Sequence, residues 1–167
     1  MKRFFSLFLV IATVLSFNCS TSFAAESNSN TTNYAKIIGE YDAPLSQCYR
    51  GKLSSSVSNV RVRSYAKYDE DDGITVTVKL YVPWYESPKP KFTGMAGKVD
   101  VVLNNDTTST TFYETADGDS TISSDVDTGV TGNSGDSGTI SVAGLATSEN
   151  ALGGGGAFAI SYPITIP

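Results

Sequence analysis

A chain of 167 residues with no histidine, two cysteines and a formal net charge of −5 lacks the usual ligands for zinc or copper and the commonest general base at neutral pH. The excess of acid over base argues against nucleic acid as a partner, because a phosphate backbone needs a dominant basic surface. The length suffices for one domain that buries its own core.

The first residues read as a secretory signal peptide. Lys2-Arg3 form a short positive region, Phe4 to Phe17 is an almost unbroken apolar run, and Ser22-Phe23-Ala24 sets small side chains where a signal peptidase needs them. The run is too short for a membrane span, and no second hydrophobic stretch follows it. Cleavage after Ala24 is therefore expected, leaving 143 residues that are secreted, with an extracellular or cell-envelope location. Cys19 follows the apolar run, but Ser16 and Asn18 stand where a lipobox wants Leu and a small residue, so this cysteine is read as discarded with the leader.

Loss of Lys2 and Arg3 makes the exported product more acidic, at −7. Only Cys48 remains, so no intrachain disulfide can form, and a lone thiol of this kind reads as a buried small hydrophobe. Residues 25–98 hold all ten remaining basic side chains against eight acids, whereas residues 99–167 hold nine acids and no base. Opposite-signed faces would favour head-to-tail association. A solubilising acidic surface is the simpler reading, since halves of a sequence need not be faces of a molecule.

Residues 25–32 are small and polar and read as a flexible tail, followed by a single β domain over 33–167. Asn59 to Tyr68 alternates, with Val60, Val62, Ala66 and Tyr68 on one side and Arg61, Arg63, Tyr65 and Lys67 on the other. Ile74 to Val82 repeats the pattern against Thr75, Thr77, Lys79 and Tyr81. An acidic loop ending in Gly73 separates the two runs, which predicts a hairpin with Gly73 at positive φ. The simplest register pairs Tyr68 with Ile74 and Val62 with Leu80, but it sets Arg63 opposite Lys79, a like-charge pair; a two-residue slip would separate them.

Three prolines between Pro83 and Pro90 make the next stretch a stiff extended connector rather than a central strand. Lys98–Leu103 alternates again, and Asn104-Asn105-Asp106 turns it toward Thr111–Glu114. Shorter strands are expected near 120–123, 139–143 and 157–166, with Gly/Asp/Ser-rich loops filling 115–138. No segment has an apolar 3.6-residue period. The expectation is an all-β, antiparallel sandwich, Ig-like or jelly-roll-like, of about seven to nine strands.

Several motifs invite chemistry and fall short of it. Gly135-Asp136-Ser137-Gly138 matches the nucleophile segment of chymotrypsin-like proteases over four residues, but the mechanism needs a base that this chain lacks. Asp117-Gly118-Asp119 and Asp125-Val126-Asp127 would suit calcium, the one metal the composition permits, yet Thr121 and Thr128 stand where an EF-hand loop needs ligands. No cofactor is expected. Gly153-Gly154-Gly155-Gly156 lacks the Lys-Ser/Thr of a phosphate loop. Asn30 and Asn105 head formal glycosylation sequons.

The residues assigned to ligand binding are Trp84 and Tyr85, the lone tryptophan beside a tyrosine on the proline-stiffened connector. Rigidly held aromatic rings stack on sugars, and Arg61, Arg63, Lys67 and Lys79, with Tyr81, would attract an anionic polymer; Lys89 and Lys91 lie close in sequence. A tryptophan plugging one end of the sandwich is the competing placement. The expected function is a non-catalytic module that binds a surface polysaccharide or an extracellular protein. A self-assembling structural subunit is the alternative, and a small carboxylate-dependent hydrolase is a third reading.

Overall fold

The computed structural model describes residues 35–48, 59–87, 89–149 and 156–167, all of which lie in the compact unit Asn33–Pro167. The expected leader and polar tail, Cys19, Asn30 and residues 153–155 of the glycine run lie outside the described residues. Among the described residues, eight strands form two four-stranded antiparallel sheets. They are β1 (Lys36–Pro44), β2 (Arg61–Asp69), β3 (Gly73–Tyr81), β4 (Phe92–Leu103), β5 (Asp106–Asp119), β6 (Thr121–Asp127), β7 (Ser137–Ser148) and β8 (Gly156–Thr165), with one short helix, α1 (Leu45–Cys48), after β1. Sheet A has the order β1-β2-β3-β6 and sheet B the order β5-β4-β7-β8. The expected all-β sandwich is what forms.

The two alternating runs do make a hairpin, in the simple register: Val62 faces Leu80, Tyr68 faces Ile74, and Arg63 faces Lys79. Gly73 has φ +79°. It also needs its missing side chain, because a Cβ there would lie 2.5 Å from the carbonyl oxygen of Val130. The segment 128–130 runs past it, with Ile74 N–H donating to Val130 O and the Thr128 hydroxyl donating to Ile74 O. Asn104 and Asn105 take φ of +52° and +71°, which closes the β4–β5 hairpin in two residues.

Three differences from the sequence reading have physical causes. β1 was not expected, because Ile37 and Ile38 are adjacent and a bulge between Ile37 and Gly39 interrupts the alternation. β4 starts at Phe92, not Lys98; Gly94 and Gly97 hide the pattern there. Strands β5 and β6, not loops, occupy most of 115–127. In β6 the apolar and small residues Ile122, Ser124 and Val126 point inward while the acids Asp125 and Asp127 point out.

The core is aliphatic, with Val60, Val62, Ile74, Val76, Val78 and Leu80 fully buried beneath sheet A, and Phe92, Met95, Val99 and Ile140 beneath sheet B. Few polar groups interrupt it. Ser64 and Tyr162 share a buried hydrogen bond of 2.9 Å between the sheets, and the Tyr68 hydroxyl donates to Gly132 O. On the inner side of sheet B one row reads Phe112–Gly97–Gly144–Phe158. Each central glycine is covered by the ring of the neighbouring edge strand, since a Cβ on Gly97 or Gly144 would meet Phe112 Cζ at 2.7 Å or Phe158 Cζ at 2.6 Å.

Charge does not divide between faces as it divides along the sequence. β6, from the acidic half, lies against β3 in sheet A and brings Asp125 and Asp127 beside the basic hairpin. The two halves of the sequence therefore do not form two faces of opposite sign.

Candidate ligand-binding face

The outer face of sheet A is built by the odd-numbered side chains of the hairpin. Alternation puts Arg61, Arg63, Tyr65 and Lys67 on the solvent side of β2, and the register sets Tyr81, Lys79, Thr77 and Thr75 opposite them on β3. Arg61, Arg63, Lys67 and Lys79 are thus on one face together with Tyr81, with Lys67 toward the end of the hairpin away from Tyr81. They are not equally available. Arg61 pairs with Asp42 of β1 at 2.8 Å, and Arg63 with Glu40 at 3.2 Å. Asp42 also accepts the Tyr81 hydroxyl at 2.8 Å. Burial, and then that hydrogen bond, push the Tyr81 phenol above its ordinary pKa.

Lys67 and Lys79 make no ion pair among the described residues. Each lies over a tyrosine ring instead: Lys67 is 5.3 Å from the centroid of Tyr65 and Lys79 is 5.7 Å from that of Tyr81. Arg63 approaches the same Tyr65 ring at 5.6 Å. Two lysine ammonium groups held on rings, flanked by neutralised arginines, are the cations this face offers a ligand, and Asp125 and Asp127 of β6 stand on the same face opposite Thr77 and Thr75.

The connector after β3 supplies the aromatic part. Val82 and Pro83 are buried, and Glu86 N–H donates to Pro83 O at 2.9 Å, so Pro83–Glu86 is a β-turn with Trp84 and Tyr85 at its tip. The Asn59 amide donates to Ser87 O at 2.8 Å and ties the turn to the start of β2. Trp84 is 86% exposed and Tyr85 70% exposed. The tryptophan does not plug the sandwich. The two rings meet edge to face, with centroids 5.7 Å apart and planes at 87°, which leaves ring surface open to a ligand. Lys91 turns toward the sheet B side, where its ammonium lies 3.9 Å from Glu149, while Lys89 is exposed.

Other candidates dissolve into structure. Asp136 closes a tight loop by accepting Asn133 N–H at 2.8 Å, and Ser137 contacts Thr165, so the Gly-Asp-Ser-Gly segment is a strand entry. Asp125 accepts the Thr77 hydroxyl, and no group of three or more metal-ligating side chains assembles among the described residues. Cys48, the last residue of α1, is buried against Tyr41 and the Pro44 carbonyl.

Sequence reasoning placed Tyr65 on this face without giving it a role, and missed Glu40 and Asp42. Tyr65 was visible as the aromatic between two cations two residues away on either side. The two acids were not, because their strand was not. Comparison with protein-family models, curated proteins and solved structures returns no match, so the face is read from its own geometry.

Proposed function

We propose that this is an exported, non-catalytic module that binds an anionic surface polysaccharide, stacking sugar rings on Trp84 and Tyr85 and holding acidic groups with Lys67 and Lys79. The observation that carries the reading is the Trp84–Tyr85 turn. An indole left almost wholly in water, on a turn anchored by a buried proline, is an unfavourable placement unless something covers it. The paired arginines add shape and donors rather than net charge.

Trp84 is the only tryptophan, so intrinsic fluorescence reports this site alone. Titration with an acidic cell-wall polysaccharide is expected to give saturable quenching or a blue shift that weakens with salt. Tyr85→Ala is expected to reduce affinity by about tenfold, in line with loss of a stacked aromatic anchor. A neutral polysaccharide binding equally well would remove the lysines from the mechanism. An emission spectrum unmoved by acidic and neutral polymers alike would refute the reading.

A further inference from the structure

The outer face of sheet B differs from that of sheet A in one decisive respect: it has almost no charge. β7 and β8 contain no charged residue, Lys98 and Asp100 of β4 neutralise each other at 2.9 Å, and Asp117 stands toward the end of edge strand β5. The register sets Tyr113, Ala96, Leu145 and Ala157 in one row across the four strands, with Ala143 and Ala159 in the next. Tyr113 is 72% exposed and Leu145 54% exposed. Beside them the alanines and the backbone of Gly97 and Gly144 floor a hollow of about 550 Å³ whose walls are nearly all apolar.

We infer that this face is the contact between two copies of the chain. A molecule with a formal charge of −5 repels its own kind wherever charge is concentrated, and the centre of the outer face of sheet B, over β4, β7 and β8, is where two copies can meet with the least desolvation of charge. The size suits the task. Four strands about 4.8 Å apart and about ten residues long present roughly 650 Å² in projection, close to the ~800 Å² per partner of a stable interface. The chemistry is also self-complementary. A twofold axis parallel to the strands reverses the strand order of the facing sheet, so Tyr113 of one copy comes over the alanine-floored hollow of the other, and the reverse. Small side chains let the two sheets approach to the ordinary packing distance of about 10 Å. Neither strand edges nor the sequence's uneven charge is involved, and the glycan face on sheet A stays open.

The test is the mass of the purified protein by light scattering across a dilution series. The expected result is the mass of two chains, unchanged in high salt, falling to one chain in Leu145→Glu and in Ala143→Glu. Both positions point to solvent, so circular dichroism should show the fold of each variant intact. Three outcomes would overturn the inference: a single-chain mass for the unaltered protein at every concentration, a two-chain mass that salt dissociates, or a two-chain mass that survives both substitutions.

Discussion

Gly97 illustrates how the lack of one side chain lets neighbouring strands and a covering ring close over the middle of sheet B. An added Cβ would sit 2.4 Å from the carbonyl oxygen of Ala143 as well as against the Phe112 ring, so relief requires movement of backbone and not merely of a ring. Gly97→Ala is therefore expected to cost about 1–3 kcal/mol, the usual range for overpacking. Denaturant unfolding would check it, and a variant as stable as the parent would show that β4 and β7 can part without penalty. The aromatic cover also explains why glycine is tolerated in two adjacent central strands. Phe112 and Phe158 restore the apolar contact that the missing side chains give up.

At the scale of elements, the informative pair is β1 and β2. Arg63 faces Lys79, the costly arrangement the hairpin pattern implied, and the structure keeps it by placing Glu40 against Arg63 and Tyr81 beneath Lys79. Asp42 does the same for Arg61 and adds the Tyr81 hydroxyl. Replacing Asp42 with Asn would release a guanidinium into the proposed binding face. Since the pair is about one-third exposed, the loss in stability should stay below ~1 kcal/mol, while affinity for an acidic polysaccharide rises and its salt dependence steepens. Fluorescence titration of the variant at two salt concentrations would measure both; an unchanged affinity would mean that Arg61 lies outside the footprint. The hairpin was legible because its period of two runs unbroken for nine residues in each strand. β1 was not, because a bulge shifts its phase. The acidic C-terminal stretches were mistaken for loops because Asp, Ser and Gly signal turns when read one residue at a time. In β6 they are simply the solvent side of a strand. Whether the indole faced in or out was never legible. It depends on the turn that Pro83 and Asn59 fix, which is a tertiary matter.

The whole molecule has a simple pH profile written into it. With no histidine, no imidazole titrates between about pH 5 and 8, and stability should be level across that range. On the acid side, hydrogen bonds from Ser109 and then Lys98 hold Asp100 below the usual carboxylate range, and the Asn133 N–H together with the Asn104 side chain does so for Asp136. Their folded pKa values lie below the unfolded ones, so their contribution is present above about pH 4 and is lost as pH falls through the depressed values. On the alkaline side the sign reverses. Burial pushes Tyr162 up to about 12, so stability is intact below the ordinary tyrosine value near 10 and declines as pH rises toward 12, by up to about 3 kcal/mol. Melting temperatures from pH 3 to 12 would trace both limbs, and Tyr162→Phe should flatten the alkaline one; a profile equally steep in that variant would assign the loss to other groups.

The placement of β6 has a bearing on how the chain acquires its shape. Sheet A is completed by a strand that follows β4 and β5 of the opposite sheet, so the β1–β2–β3 meander keeps a bare edge along β3 until Thr121–Asp127 has been delivered across the sandwich. Local hairpins can zip early, but completing sheet A demands the non-local β3–β6 pairing, which slows all-β chains to milliseconds or seconds. During that interval Thr75 to Tyr81 is an inviting template for any stray strand, and the lysine at its centre is the gatekeeper that keeps such an encounter brief.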